Sequence, residues 1–343
     1  MIMQKTHNIS KPLRLFLGGL TVFAVVANVL VMFTALTNPL DLQSAFTLSP
    51  ELALEPVDLN WLHDSLCTLE MGGEWTYLCS GNFVKAAAEI LLNGDHVNIV
   101  QIGAHVGFEE NDPIAKGISI LLDRLTNITT NSSSELRKHV HWTFVEPSPP
   151  NFKRLSENML THSDICDMKG INAAVVSDNS KTIPDEIVFY SIRDTIDPET
   201  GFDSLSNQTL PYYITQLSSF SMRPILFNKG AFKSRGLNVF DYVVKTNVTA
   251  KAYSNLMKEA VVTENTQEKF QQFAPLMVLI DTEGFDCDIV EGIAASSPYL
   301  PKYLVFEHKQ CNKRAAFQHL RSMGYNINTT IENAVAFVTV IEE

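Results

Sequence analysis

The stretch from Val97 to Gly107, V-N-I-V-Q-I-G-A-H-V-G, limits the possible folds of this chain more than any other. The β-branched and apolar residues up to Ile102 spell a buried strand. That strand runs into Gly103 and Gly107, where a missing Cβ lets the backbone turn sharply and approach a neighbour. A helix following such a turn points its free N–H groups at the anionic end of a ligand. α/β sheets hold nucleotide-like cofactors in this way, at the carboxyl edge of the first strand. Taken alone, the G-x-x-x-G spacing is equally compatible with a tight turn that holds no ligand.

The residues around it repeat the alternation of strand and helix. Asn82–Leu92 has helical periodicity, and Asp112–Pro113 opens a second helix to about Leu125. Asn127–Ser134 reads as a polar loop, His141–Val145 as a strand and Asn151–Leu160 as a helix behind Pro149 and Pro150. Further strands are expected at Ile171–Val176, Glu186–Tyr190, Leu276–Ile280 and Tyr303–Phe306. Helices are expected over Tyr253–Phe273 and Lys313–Met323, and a closing strand pair at Tyr325–Thr329 and Ala334–Ile341. Ser191 to Thr246 is poorly patterned and reads as loops facing a substrate. The expected fold is therefore α/β: a Rossmann-like, doubly wound, mostly parallel sheet with an antiparallel edge strand.

Composition bears on location and partners. Leu15–Leu36 is apolar without a single charge and long enough to cross the roughly 30 Å hydrocarbon core. Lys5, Lys11 and Arg14 precede it, and Asp41, Glu51 and Glu55 follow, so the positive-inside rule places the N-terminus in the cytosol. A cleaved signal peptide is the competing reading; the run is longer than signal cores of about 7–15 residues. The expected division is a cytosolic tail (1–14), a transmembrane anchor (15–36), a lumenal stem (37–81) and a catalytic domain (82–343). That makes a single-pass type II membrane protein of the secretory pathway. Sequons at Asn127, Asn131, Asn207, Asn247 and Asn328 agree with a lumenal glycoprotein. Five cysteines leave at least one unpaired within the chain, and Cys67 with Cys79 is the expected disulfide. A net charge of −12 over 343 residues argues against a nucleic-acid partner.

Two groups of residues carry chemistry. Glu146 follows the second strand at the edge that carries the glycine turn, where a carboxylate suits the vicinal hydroxyls of a ribose. Its distance from Gly103 exceeds the usual spacing of about 20 residues, and the Asn127–Ser134 segment absorbs the excess as an insertion. Asp281-Thr282-Glu283-Gly284-Phe285-Asp286-Cys287-Asp288 follows a buried strand, and Glu307-His308 ends the next. If those strands are neighbours, Asp281, Glu283, Glu307 and His308 converge, and a carboxylate–His pair there can act as a general base or hold a divalent metal.

IGAHVG, FVEPSPPNFKRL, NAAVVSD, LSSF, LIDTEGFDCDIVEGI and LVFEH occur in that order. Their order resembles the FkbM-type methyltransferases, over about Val97 to Val340. The resemblance implies an enzyme that uses S-adenosyl-L-methionine to methylate a hydroxyl of a sugar, glycan or similar small acceptor. It also implies that Gly103, Ala104, Gly107 and Glu146 bind the cofactor. Gln101 stands where the family often has an acid, and can hydrogen-bond the cofactor's ammonium without adding charge. Asp281, Glu283 and His308 are the candidates for removing the acceptor's proton, with His105 behind them.

Two other readings stay open. Asp286-Cys287-Asp288 is a D-x-D, as in a type II membrane glycosyltransferase. A non-catalytic lumenal binding protein would keep the fold and lose the cofactor, and Gln101 favours it.

Overall fold

The computed structural model describes residues 83–338, apart from 108–112, 129–131, 181, 198–199, 262–273, 296, 310 and 331. The expected tail, anchor and stem, with Cys67, Cys79 and Asn131, lie outside the described residues. No described helix is long and apolar enough to cross a membrane.

Seven strands form the central sheet: β1 (Val97–Ile102), β2 (Val140–Val145), β3 (Asp167–Ile171), β10 (Met277–Ile280), β11 (Tyr303–Glu307), β12 (Tyr325–Thr329) and β13 (Asn333–Val338). Across the sheet they run β12-β13-β11-β10-β1-β2-β3. From β1 the chain builds outward through β2 and β3, then returns to lay β10 and β11 on the other side of β1. All five of these strands are parallel. The reversal between β1 and β10 is the switch point at which doubly wound sheets open a crevice.

The antiparallel strand is not at the edge, as expected, but one place inside it. β13 pairs antiparallel with β11 on one side and β12 on the other, so the edge strand β12 runs parallel to the body. The burial pattern explains the placement. Ala334, Val335 and Ala336 are buried, whereas β12 exposes Asn326, Asn328 and Thr329 and tolerates an edge.

The alternation of side chains along β1 divides the core in two. Val97 and Ile99 face α1 (Phe83–Leu92) and α2 (Pro113–Ile128), with Ile118, Leu121, Leu122 and Leu125 of α2 in the same cluster. Leu155 of α4 (Pro149–Thr161) completes that layer; α3 (Ser133–Lys138) precedes β2 and adds Leu136. Val100 and Ile102 face the other side and pack with α7 (Tyr253–Val261), α8 (Asp286–Gly292) and α9 (Lys313–Ser322). Each fully buried Val, Leu, Ile or Phe contributes about 1.5–3 kcal/mol against exposure.

Other expectations change in detail. Asn127 belongs to α2, and Ser133 and Ser134 belong to α3, whose N-cap Ser132 accepts from the Glu135 N–H. Of the expected helix over Tyr253–Phe273, residues 262–273 lie outside the described residues. Ile171–Val176 is two strands, not one. After β3 the chain breaks at Asn172, whose Nδ2 donates to the Glu146 carbonyl at 2.7 Å, and β4 (Ala174–Val176) joins a second sheet. That sheet, β4-β9-β5-β8, includes β5 (Glu186–Ile192), β8 (Ser218–Ser219) and β9 (Val243–Ala252).

Residues 191–246 are more than loops. They include the small hairpin of β6 (Phe202–Asp203) and β7 (Gln208–Thr209), and the helices α5 (Arg223–Phe227) and α6 (Lys229–Lys233). They enclose their own core of Ile192, Ile196, Leu210, Ile225, Phe232 and Tyr242, among others. Asp203, fully buried, fastens it by accepting from the Ser206 N–H (2.9 Å), the Leu205 N–H (3.1 Å) and the Tyr242 hydroxyl (2.7 Å). Burial alone would raise the Asp203 pKa; its hydrogen bonds outweigh that and bring it down to about 2.

The disulfide among the described residues is Cys287–Cys311, with Cα atoms 5.8 Å apart, and Cys166 is a buried free thiol.

Candidate functional site

The register brings four strand ends to one edge. Ile102 lies opposite Val145 and Ile280, and Ile280 opposite Phe306. Gly103, Glu146, Asp281 and Glu307 therefore emerge side by side at the carboxyl ends of β1, β2, β10 and β11.

The glycine turn is closed on itself. The N–H groups of Gly103 (2.9 Å) and Ala104 (3.0 Å) both donate to the Val145 carbonyl, and that of Gly107 to the Ala104 carbonyl (2.7 Å). The His105 N–H donates to Glu146 Oε2 at 2.8 Å. Gly103, His105 and Gly107 all have positive φ, of 80°, 51° and 77°. A Cβ on Gly103 would overlap the Asp281 carbonyl, and one on Gly107 would press on Leu155. These glycines thus admit neighbouring protein, the Asp281 carbonyl just after β10 and an α4 side chain, where the sequence pattern pointed to a ligand. The helix after the turn begins only at Pro113.

Glu146 is 2% exposed. Oε2 takes the His105 N–H, and Oε1 takes the Ser148 N–H at 2.8 Å. Burial raises its pKa to about 8, against the opposing pull of the hydrogen bonds from Ser148, His105 and Asn151. The residue expected to bind a ribose first of all holds the glycine turn in shape. Three bonds leave one further lone pair on a carboxylate that accepts about four.

Gln101 stands in β1 two residues before Gly103, and its Oε1 is enclosed without a hydrogen-bond partner. His105 hydrogen-bonds the Thr215 backbone, while its Nε2 is enclosed without a partner. Burial, then the nearby Arg154 charge, lower its pKa to about 4, so the ring is neutral at physiological pH.

The second strand-end turn, Asp281 to Phe285, is organised by Asp286. This carboxylate, fully buried, accepts from the Thr282 N–H (3.3 Å), the Thr282 hydroxyl (3.1 Å) and the Gly284 N–H (3.2 Å). Glu283 is held at a positive φ of 53°, and its carbonyl accepts from Ser219 Oγ of β8 at 3.2 Å. Asp281 keeps exposed surface. Protein crowding around its carboxyl, then the charges of Asp286, Glu283, Glu307 and Glu146, raise its pKa well above the carboxylate range. The open side limits the first cause and leaves the like charges. Glu307 is raised to about 7 by burial, then by Asp286, Glu283 and Glu332, against the opposing charge of Lys309.

His308 does not join this cluster. It is 5% exposed, its Nε2 lies 3.3 Å from the Thr330 carbonyl, and its ring meets Phe317 of α9 edge-on at 5.7 Å. The backbone alternates direction along β11, so a residue beside Glu307 points to the opposite face. Glu307 itself takes the place that sequence reasoning gave to His308. The D-x-D reading also loses its geometry: Asp286 is turned into its own loop, Cys287 is in the disulfide, and Asp288 is exposed on α8. Asp281 and Glu283 do meet Glu146 and Glu307, as the neighbouring strands imply. Asp286 stands in the D-x-D and LIDTEGFDCDIVEGI motifs without its structural role being marked; for Ser219 and Thr215 only LSSF marked the segment in advance.

No known protein family matches the sequence, and no curated protein does either. The resemblance to FkbM-type methyltransferases rests on the motifs alone. Among solved structures, the precorrin-6y C5,15-methyltransferase of Geobacter metallireducens GS-15 aligns over 75% of this chain and 87% of its own. Identity is 10% and the TM-score 0.30. At those values the likeness says nothing of activity, and the strand order speaks for the fold by itself.

Proposed function

We propose that this chain is an S-adenosylmethionine-dependent methyltransferase acting on a hydroxyl oxygen, most simply of a sugar or glycan. The observation that carries the reading is the chemistry of the switch-point crevice. The amides of Gly103, Ala104, His105 and Gly107 are all engaged within the protein, so the turn offers no cradle for a diphosphate. Glu146, Asp281, Glu283 and Glu307 gather at the same edge, where burial and then their mutual repulsion raise Asp281 and Glu307; a cation among them relieves that repulsion and a phosphate adds to it. Dinucleotides and nucleotide sugars bring diphosphates; S-adenosylmethionine brings an ammonium and a sulfonium. Gln101 Oε1, enclosed and unpartnered, is an acceptor suited to the ammonium, and the spare lone pair of Glu146 suits a ribose.

Bound there, the cofactor supplies a methyl group already activated for transfer. The protein's part is to orient an acceptor hydroxyl and take its proton. Glu307, with a pKa of about 7, is matched to that task near neutral pH, and such a base contributes about 10²–10⁴ in rate. Asp281, with its raised carboxyl, serves as a hydrogen-bonding partner to the acceptor beside it.

A lumenal, membrane-anchored setting is part of the proposal. The Cys287–Cys311 disulfide supports an oxidising compartment, and Asn127, Asn207, Asn247 and Asn328 are all exposed, as glycan acceptors must be. Protease protection of the domain in intact microsomes is the expected result; digestion from outside would overturn the topology.

The deciding experiment on function is a melting shift with S-adenosylmethionine and S-adenosylhomocysteine beside UDP and GDP sugars. Both adenosyl ligands are expected to stabilise the protein and the sugar nucleotides to leave it unchanged. A shift with sugar nucleotides alone returns the glycosyltransferase, and no shift with any of them the non-catalytic reading.

A further inference from the structure

One surface departs from the acidity of the rest. The chain has a net charge of −12, yet from Ser204 to Phe240 it contains Arg223, Lys229, Lys233 and Arg235 and no acid. The same stretch holds Leu205, Tyr213, Phe227 and Phe240, four of the eight large apolar side chains exposed among the described residues. So many in one segment of a protein with two well-filled sheet faces mark a surface with a use.

α5 and α6 turn their apolar residues inward, with Ile225 and Phe232 fully buried. Their outward face is left to Arg223, Phe227, Lys229 and Lys233, all exposed, Phe227 to 88%. Lys229 and Lys233 stand one turn apart on the same side of α6. Asn228 both ends α5 and begins α6, which sets Phe227 beside Lys229. Arg235 is not part of this face: its guanidinium donates to the Thr209 carbonyl (2.6 Å) and the Ala231 carbonyl (3.0 Å).

The face adjoins the crevice. Ser219, whose hydroxyl donates to the Glu283 carbonyl, lies four residues before Arg223, at most about 14 Å of chain. Between them Phe220 meets Phe285, from the Asp281–Phe285 turn, edge-on at 4.4 Å.

We infer that the Arg223–Phe227–Lys229–Lys233 face binds an anionic carbohydrate, one bearing carboxylate or sulfate groups, and holds it beside the strand-end crevice. The inference rests on the proposed reading of that crevice as a site for a sugar hydroxyl. A polyanion is repelled by most of this surface and attracted here. Arg and Lys pair with carboxylate and sulfate oxygens through charge-assisted hydrogen bonds, and the Phe227 ring offers an apolar plane to the C–H face of a sugar. The division of charge also orients the ligand: the crevice acids turn anionic groups away and leave neutral hydroxyls to face it.

The test uses the full chain in neutral nanodiscs, titrated with a heparin oligosaccharide, a neutral dextran oligosaccharide and phosphatidylserine vesicles. Heparin is expected to bind and to weaken steeply with salt, and dextran not to bind. Lys229→Glu/Lys233→Glu should lower heparin affinity at least about tenfold, and Phe227→Ser about threefold, with melting temperatures unchanged. Unaltered heparin binding in the double variant overturns the inference. So does stronger binding to the vesicles, which would make the face a lipid surface instead. Melting shifts with S-adenosylmethionine, recorded on the same samples, separate the two readings. A cofactor shift without heparin binding removes this surface alone; heparin binding without a cofactor shift removes the methyltransferase alone.

Discussion

The seven-stranded sheet and the segment from 191 to 246 stabilise themselves by different means. In the sheet, strands such as β1 and β2 are buried almost throughout, and helices cover both faces. In the inserted segment strands are two residues long, the helices five, and a buried carboxylate gathers the turns. A sheet with two apolar faces tolerates no added atom near its centre. A small core tied by polar groups leaves most of its backbone near water, free to carry charge and exposed rings. The same contrast separates the candidate catalytic edge, which is acidic, from the basic face that adjoins it.

The sharpest way to break this comparison is a single glycine substitution. Gly103→Ala puts a methyl group onto the Asp281 carbonyl at a φ of 80°, and should cost at least about 3 kcal/mol or prevent folding. Urea denaturation reads the loss, and a change under about 1 kcal/mol would mean that the turn relaxes freely.

The second test is pH, where the two regions should respond with opposite sign. Glu146 is raised to about 8 in the fold from an ordinary value of 4.5, so between those values the folded state holds a proton that the unfolded chain has lost. Stability of the sheet edge therefore falls as pH rises across that window, by at most about 1.4 kcal/mol per unit. Asp203 is lowered to about 2 from 3.8. The stability it contributes is present above the higher value and lost as pH falls through the lower one. Hydrogen exchange in each region against pH, with Glu146→Gln and Asp203→Asn each flattening its own slope, checks both signs. A common slope in the two regions would dissolve the distinction.

The smallest effect expected is a gain. A Cβ on Gly230 of α6 meets nothing within 4 Å, so Gly230→Ala should stabilise the inserted segment by about 0.5–1 kcal/mol. A melting temperature that drops would show a constraint on this helix.

These differences also explain what was legible in the sequence. Strands buried on both faces advertise themselves as apolar runs, so β1, β2, β10 and β11 stand within a residue or so of where the pattern puts them. β9 did not: its burial alternates, so its first residues, to Thr246, read as loop and the rest, with Asn247 and Thr249 on its exposed face, carried no assignment. The short elements around Asp203 carry no period long enough to see. In the site, adjacency of strands brought Asp281, Glu283 and Glu146 together as expected. What periodicity cannot reveal is which way a residue at a strand end turns, and there His308 and Glu307 exchange roles. Nor does a glycine announce whether ligand or protein fills the space beside it. At Gly103 the answer is the carbonyl of Asp281, just after β10.

The place of β13 has a consequence for how the molecule is made. It is synthesised after every other described strand, yet it lies between two of them. Until residues 333–338 leave the ribosome, β11 presents an open edge and β12 has no partner in the sheet. Every nascent chain therefore passes through a stage in which most of the apolar sheet exists with one flank unpaired, the form most prone to pair with a neighbour. Chaperone demand should concentrate in that interval. Missense changes in the short run Ala334–Ala336, which pairs with Leu304–Phe306 beside Glu307, should be read first as failures of assembly and only then as changes to chemistry.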